Sequence, residues 1–126
     1  KDGKPVYHTN VLMCMGDTFC IICLDAIQDL DERLMVKQKL ENSGKTIMEI
    51  TTEQMHRFAG NMLLVKNKKD KHFLVMSDQA YESLTRNQAD TMDYFAEILH
   101  TDLGPIETAG GGSARCMIAE IHLPEK

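Results

Sequence analysis

The 126-residue chain carries 14 Lys and Arg against 19 Asp and Glu. The resulting charge of −5 argues against a dedicated nucleic-acid binder, which needs a basic footprint. With 43% hydrophobic residues it suits one globular domain burying roughly two thirds of its unfolded surface, and its longest unbroken apolar run, Phe19 to Leu24, is too short to cross a bilayer.

No secretory signal opens the chain, and its four cysteines lack the spacing of a disulfide framework. Reduced thiols and a cytoplasmic setting are therefore expected. The first residues, Lys1-Asp2-Gly3-Lys4-Pro5, carry no initiator Met, which is consistent with a start inside a longer protein.

In chain order, Asn10 to Met15 is mostly apolar and meets the turn signal Gly16-Asp17, and Phe19 to Leu24 has the look of a buried strand. Together they predict a hairpin. Asp31 to Ser43 reads as a helix with Leu34, Met35 and Leu40 among charges, stopped by Gly44. Thr46 to Ile50 reads as a short strand. Thr51 with Gln54 has the capping-box spacing for a helix ending near Gly60.

The pattern then restarts. Met62 to Val65 and Phe73 to Met76 predict strands joined by the polar turn Lys66 to Lys71. Ser77 and Thr85 are candidate N-caps, the latter with Gln88 at capping-box spacing, for helices reaching about Ala96. A short strand near Ile98 follows, and Cys116-Met117-Ile118-Ala119 resembles an opening strand again.

Asn10-Val11-Leu12-Met13 matches Asn61-Met62-Leu63-Leu64 at an offset of 51 residues, and Phe19-Cys20-Ile21-Ile22 matches Phe73-Leu74-Val75-Met76 at 54. The reading is α/β (α+β): two ββαβ modules, over about 6–60 and 61–108, plus a closing strand over 113–123 that leads a third. Repeat units bury their apolar faces against neighbours, so an abrupt start and stop lead to the expectation of further units.

Chemistry-bearing residues concentrate at Gly110-Gly111-Gly112-Ser113-Ala114-Arg115-Cys116-Met117. Three glycines permit positive φ and close approach to a ligand. They deliver Cys116 to the head of a predicted buried strand, with Arg115 beside the thiol to favour a nucleophilic thiolate. Equally open on residue types is a small buried hydrophobe behind a linker. His8 precedes the opening strand of the first unit, two residues ahead of Asn10, whose repeat equivalents are Asn61 and Cys116. Equivalent strand ends converge in a symmetric assembly, so His8 can serve Cys116 as a proton shuttle. The alternative is a histidine at a hairpin edge. Cys20 and Cys23 spell C-x-x-C inside a strand, where alternation sends them to opposite faces and serves neither zinc nor a redox pair. Ser43-Gly44-Lys45-Thr46 ends a helix instead of opening one, and is rejected as a phosphate-binding loop. His56, His72, His100 and His122 show no ligand spacing.

Val6-Tyr7-His8-Thr9-Asn10-Val11-Leu12-Met13, Phe58-Ala59-Gly60-Asn61-Met62-Leu63 and Gly110 through Ile121 together resemble the C-terminal half of citrulline-utilisation hydrolases. These form an arginine-deiminase-related branch of the guanidino-group-modifying (amidinotransferase) superfamily. The resemblance implies a pseudo-fivefold α/β propeller, Cys116 as a nucleophile attacking a guanidino or ureido carbon, and His8 as the acid/base. It implies a small-molecule arginine- or citrulline-like substrate, with Gly112, Ser113, Arg115 and Asn61 around it, and no metal or organic cofactor. It further implies that the carboxylates orienting the substrate come from a missing N-terminal half of the same enzyme. The isolated chain is then expected to be inactive and to self-associate as a homo-oligomer through its open ends, with no nucleic-acid or membrane partner. A non-catalytic regulatory domain of the same fold, an amidinotransferase, and a redox sensor using Cys20 and Cys23 are the alternatives.

Overall fold

The structure, a computed structural model, describes residues 9–110 and 112–119. Two three-stranded sheets share one topology, an antiparallel hairpin followed by a parallel third strand. In the first sheet β1 (Met13–Met15) pairs antiparallel with β2 (Phe19–Ile22), which pairs parallel with β3 (Thr46–Glu49). The second sheet repeats this with β4 (Leu63–Lys66), β5 (His72–Ser77) and β6 (Glu97–Thr101). The two stretches aligned in the sequence thus carry sheets of equal strand order.

β2 is the central strand of its sheet and all four of its residues are buried. Its period of two separates two cores. Phe19, Ile21 and Cys23 join a cluster with Met48, Met55, Met62, Leu74, Met76 and Met92 that spans both sheets. Cys20, Ile22 and Leu24 face the other way, toward Leu40 and the half-buried Val36 and Ile47. The C-x-x-C pair thus lies on opposite faces, as alternation requires, and all four cysteines are free thiols.

Between the strands run a 3-10 turn (Leu24–Ala26), α2 (Leu30–Asn42), α3 (Thr52–His56), α4 (Asp78–Ser83) and α5 (Arg86–Phe95). Asp29 caps α2 by accepting from the backbone N–H of Asp31 and Glu32, and Gly44 ends that segment at φ +85°. Both predicted capping boxes form, Thr51 with Gln54 and Thr85 with Gln88. Their glutamines also bond each other, Gln54 Nε2 donating to Gln88 Oε1 at 2.6 Å, which ties the two modules together at their helix starts. Lys45, from the rejected loop motif, instead donates to the carbonyls of Gly16 and Asp17 at the hairpin turn.

Three expectations are corrected. Thr9–Leu12 forms a helical turn, α1, so the opening strand is only Met13–Met15. The backbone there is set by tertiary partners: Gly60 lies against the Val11 carbonyl, and Asn61 donates to the carbonyl of Asn10. α3 ends at His56 and not near Gly60, because Phe58 turns the chain at φ +66°. After α6 (Gly104–Gly110), the head of the closing strand expected over 113–123 is the helical turn α7 (Ala114–Met117). Among the described residues no helix is long and apolar enough to cross a membrane.

Candidate functional site

Asn61 sits at the head of the second module with its side chain 2% exposed, so its amide needs protein partners. Nδ2 donates to the Asn10 carbonyl at 2.9 Å and to Cys116 Sγ at 3.4 Å. Oδ1 accepts from the Ser113 N–H at 3.0 Å, and the Asn61 carbonyl accepts from the Arg115 N–H at 3.4 Å. The three positions aligned by the repeat, Asn10, Asn61 and Cys116, are thereby brought into one cluster. The amide orientation is fixed chemically. A carbonyl cannot donate and a backbone N–H cannot accept, so only this orientation satisfies both Asn10 and Ser113.

Cys116 lies within α7 and is exposed, unlike the buried Cys14, Cys20 and Cys23. This corrects its placement at the head of a buried strand and removes the reading of a buried hydrophobe. Its thiol meets the Asn61 amide. Gly112 crosses directly over it: a Cβ there would stand 3.1 Å from both Cβ and Sγ of Cys116. Close approach is the reason for glycine at 112. Positive φ is not, since neither Gly110 nor Gly112 adopts it, and Gly111 lies outside the described residues.

Arg115 departs from expectation. Its guanidinium extends to the Met13 carbonyl at 3.5 Å, and its charge acts on Cys14. Burial nevertheless dominates there and pushes the Cys14 thiol up to about 12. Ser113 is fully buried, its hydroxyl donating to Glu107 Oε2 at 2.6 Å. Asn61 and Ser113 thus commit their polar atoms inside the protein. His8 lies outside the described residues, as does His122.

The model of the eukaryotic N,N dimethylarginine dimethylhydrolase family matches residues 1–123. The chain belongs to that family. Dimethylarginine dimethylhydrolases are named for hydrolysis of a methylated guanidino compound, which agrees with the expected superfamily of guanidino-group-modifying enzymes and with a C–N hydrolase. No curated protein matches the chain closely enough to add a nearer relative.

Two constellations escaped the sequence reading. Glu107, 4% exposed on α6, accepts from Gln79 Nε2 as well as from Ser113. Its partners lie across a glycine loop and 28 residues upstream, so no local spacing announces it. His100 bonds Asp78 at 2.6 Å through Nδ1 and stacks on Tyr81 with centroids 4.1 Å apart. The parallel register of β5 and β6 gives that pairing, setting Ser77 opposite Thr101. Among the described residues no group of three or more His, Cys, Asp or Glu is placed to hold a metal ion.

Proposed function

We propose that this dimethylarginine dimethylhydrolase family member hydrolyses a C–N bond of an arginine- or citrulline-like guanidino or ureido substrate through a covalent intermediate on Cys116. The exposed thiol held against a buried amide N–H, in a chain matched by that family, is the observation that carries the reading. The Cys116 thiolate attacks the central guanidino carbon and forms a tetrahedral adduct. Collapse expels an amine, which takes its proton from His8, and leaves an S-linked thiouronium. Water then adds to that carbon and gives its proton to His8. The second adduct releases the ureido product and returns the thiolate. Splitting the substitution in two gives the first attack to a stronger nucleophile than water, and leaves water a more electrophilic carbon, because sulfur donates less π-density than the nitrogen it replaces.

The finer reading is the citrulline-utilisation branch, resting on the Phe58-Ala59-Gly60-Asn61 and Gly110–Ile121 motifs. In that reading the site is built within an α/β propeller and completed by carboxylates of a preceding half that orient the substrate, in a cytoplasmic enzyme. In the full-length protein Cys116→Ser abolishes turnover, and His8→Ala lowers it by roughly 10²- to 10⁴-fold, with the fold retained. Dimethylarginine, arginine and citrulline are assayed side by side, and trapping of a covalent adduct is followed by intact mass. Turnover of any of them by Cys116→Ser at the wild-type rate refutes the mechanism. Alkylation of Cys116 no faster than a free thiol, without turnover, favours a non-catalytic domain.

A further inference from the structure

We infer that Glu107 is a positioning residue for the Cys116 thiol, acting through Ser113 and Asn61 without itself touching substrate. The inference rests on the reading of Cys116 as the nucleophile. It starts from an irregularity in the helix caps. Asp29, Thr51, Ser77 and Thr85 all cap their own helices with a side-chain oxygen. Ser113 stands at the N-cap of α7 and does not. Its hydroxyl turns away and donates to Glu107 Oε2 at 2.6 Å, a length typical of a charge-assisted O–H···O bond.

Forgoing a cap is destabilising, and burying a carboxylate is unfavourable unless donors meet it. Both costs are met at one place. Glu107 receives Ser113 on one oxygen and Gln79 Nε2, at 3.3 Å, on the other. The Ser113 backbone is thereby fixed on both sides. Its N–H points at Asn61 Oδ1, and its carbonyl accepts from the Cys116 N–H at 3.0 Å. With Oδ1 so engaged, the Asn61 amide has only one orientation, and that orientation aims Nδ2 at Sγ. The path therefore runs from the buried carboxylate to the sulfur through three hydrogen bonds. Glu107 also anchors the far side of the glycine loop, since it lies on α6 before Gly110 while Ser113 follows Gly112.

The test compares Glu107→Ala, Glu107→Gln and Ser113→Ala in the full-length enzyme, reading kcat, KM and the rate of iodoacetamide alkylation at Cys116. Glu107→Ala and Ser113→Ala lower kcat by roughly 10- to 100-fold with KM within about threefold, as expected of a misplaced reacting group. Alkylation of Cys116 slows in parallel. Glu107→Gln recovers much of the loss, because its Oε1 still accepts from Ser113 while the Gln79 amide turns to meet the new Nε2. Ser113→Ala leaves the Glu107 charge in place and removes one oxygen, so it reports positioning separately from charge and from gross folding. Wild-type kcat and alkylation rate in Ser113→Ala overturn the inference. So does a Glu107→Gln variant as impaired as Glu107→Ala. If Cys116→Ser retains turnover, the nucleophile reading fails, and the alkylation rates alone decide whether Glu107 governs the thiol.

Discussion

Asn61→Asp is the sharpest test of the amide orientation at the centre of the site, because it changes one N–H₂ group to oxygen and little else. The retained oxygen still accepts from Ser113 N–H, but the other now faces the Asn10 carbonyl where Nδ2 stood at 2.9 Å. Two acceptors at that distance, in a side chain 2% exposed, require a proton between them. The carboxyl must stay protonated in the folded protein while its unfolded counterpart ionises near pH 3.9. Its folded pKa is raised, so the stability it contributes is complete below the unfolded value and is lost as pH rises toward the folded one. Each pH unit in that window removes about 1.4 kcal/mol, and from pH 5 to 7.5 the loss reaches roughly 3 kcal/mol. Urea denaturation of wild type and variant across this range measures the difference directly. A pH-independent difference, or one that shrinks as pH rises, would mean that the site supplies donors to both oxygens and that Nδ2 does not face Asn10.

Two further outcomes follow from burial and close contact. The Cys14 thiol, raised by burial from 9.0 to about 12, contributes stability that is complete below pH 9 and declines as pH rises toward 12, by up to roughly 4 kcal/mol. Cys14→Ala flattens that alkaline decline in denaturation midpoints, while Cys20, also raised by burial, still acts in the same direction; an unchanged slope contradicts it. Gly60→Ala drives a Cβ into the Val11 carbonyl oxygen and to 2.9 Å from the Leu12 carbonyl carbon, so it destabilises by about 1–3 kcal/mol. Gly110→Ala meets nothing within 4 Å and shifts the melting temperature negligibly, and equal effects at the two glycines would refute the contact argument.

The parts of the fold legible in the sequence are those decided by short-range chemistry. Capping oxygens at Thr51, Ser77 and Thr85 act over three residues, and the turn at Gly16-Asp17 is equally local. The alternation that divides Cys20 from Cys23 between two cores is a property of one strand. What misled was four-residue apolar runs. Asn10-Val11-Leu12-Met13 and Cys116-Met117-Ile118-Ala119 carry no period long enough to separate strand from helix. At the first, contacts with the Gly60–Asn61 segment occupy the backbone, and just ahead of the second the Arg115 N–H donates to the Asn61 carbonyl. Glu107 and its link to Ser113 were hidden for a related reason. A buried carboxylate is recognisable only once its donors are known, and one of them comes from the start of α4.

The repeat explains why polar groups from distant segments meet at one point. Asn10, Asn61 and Cys116 hold equivalent ranks in successive stretches, and the Asn61 amide touches the other two. An asparagine at such a position can donate and accept at once, so it ties neighbouring units together but offers no nucleophile. A cysteine at the same rank gives up that linking capacity and presents a thiol. The exchange is tolerable because the Asn61 amide supplies the link from its own side, donating to the sulfur and accepting from the serine three residues before it. Structural polar groups at one position thus hold the thiol at the next. That division of labour also accounts for the buried amide being an asparagine: an aspartate would lack the donor for Sγ, and a leucine would leave the Ser113 N–H buried without an acceptor.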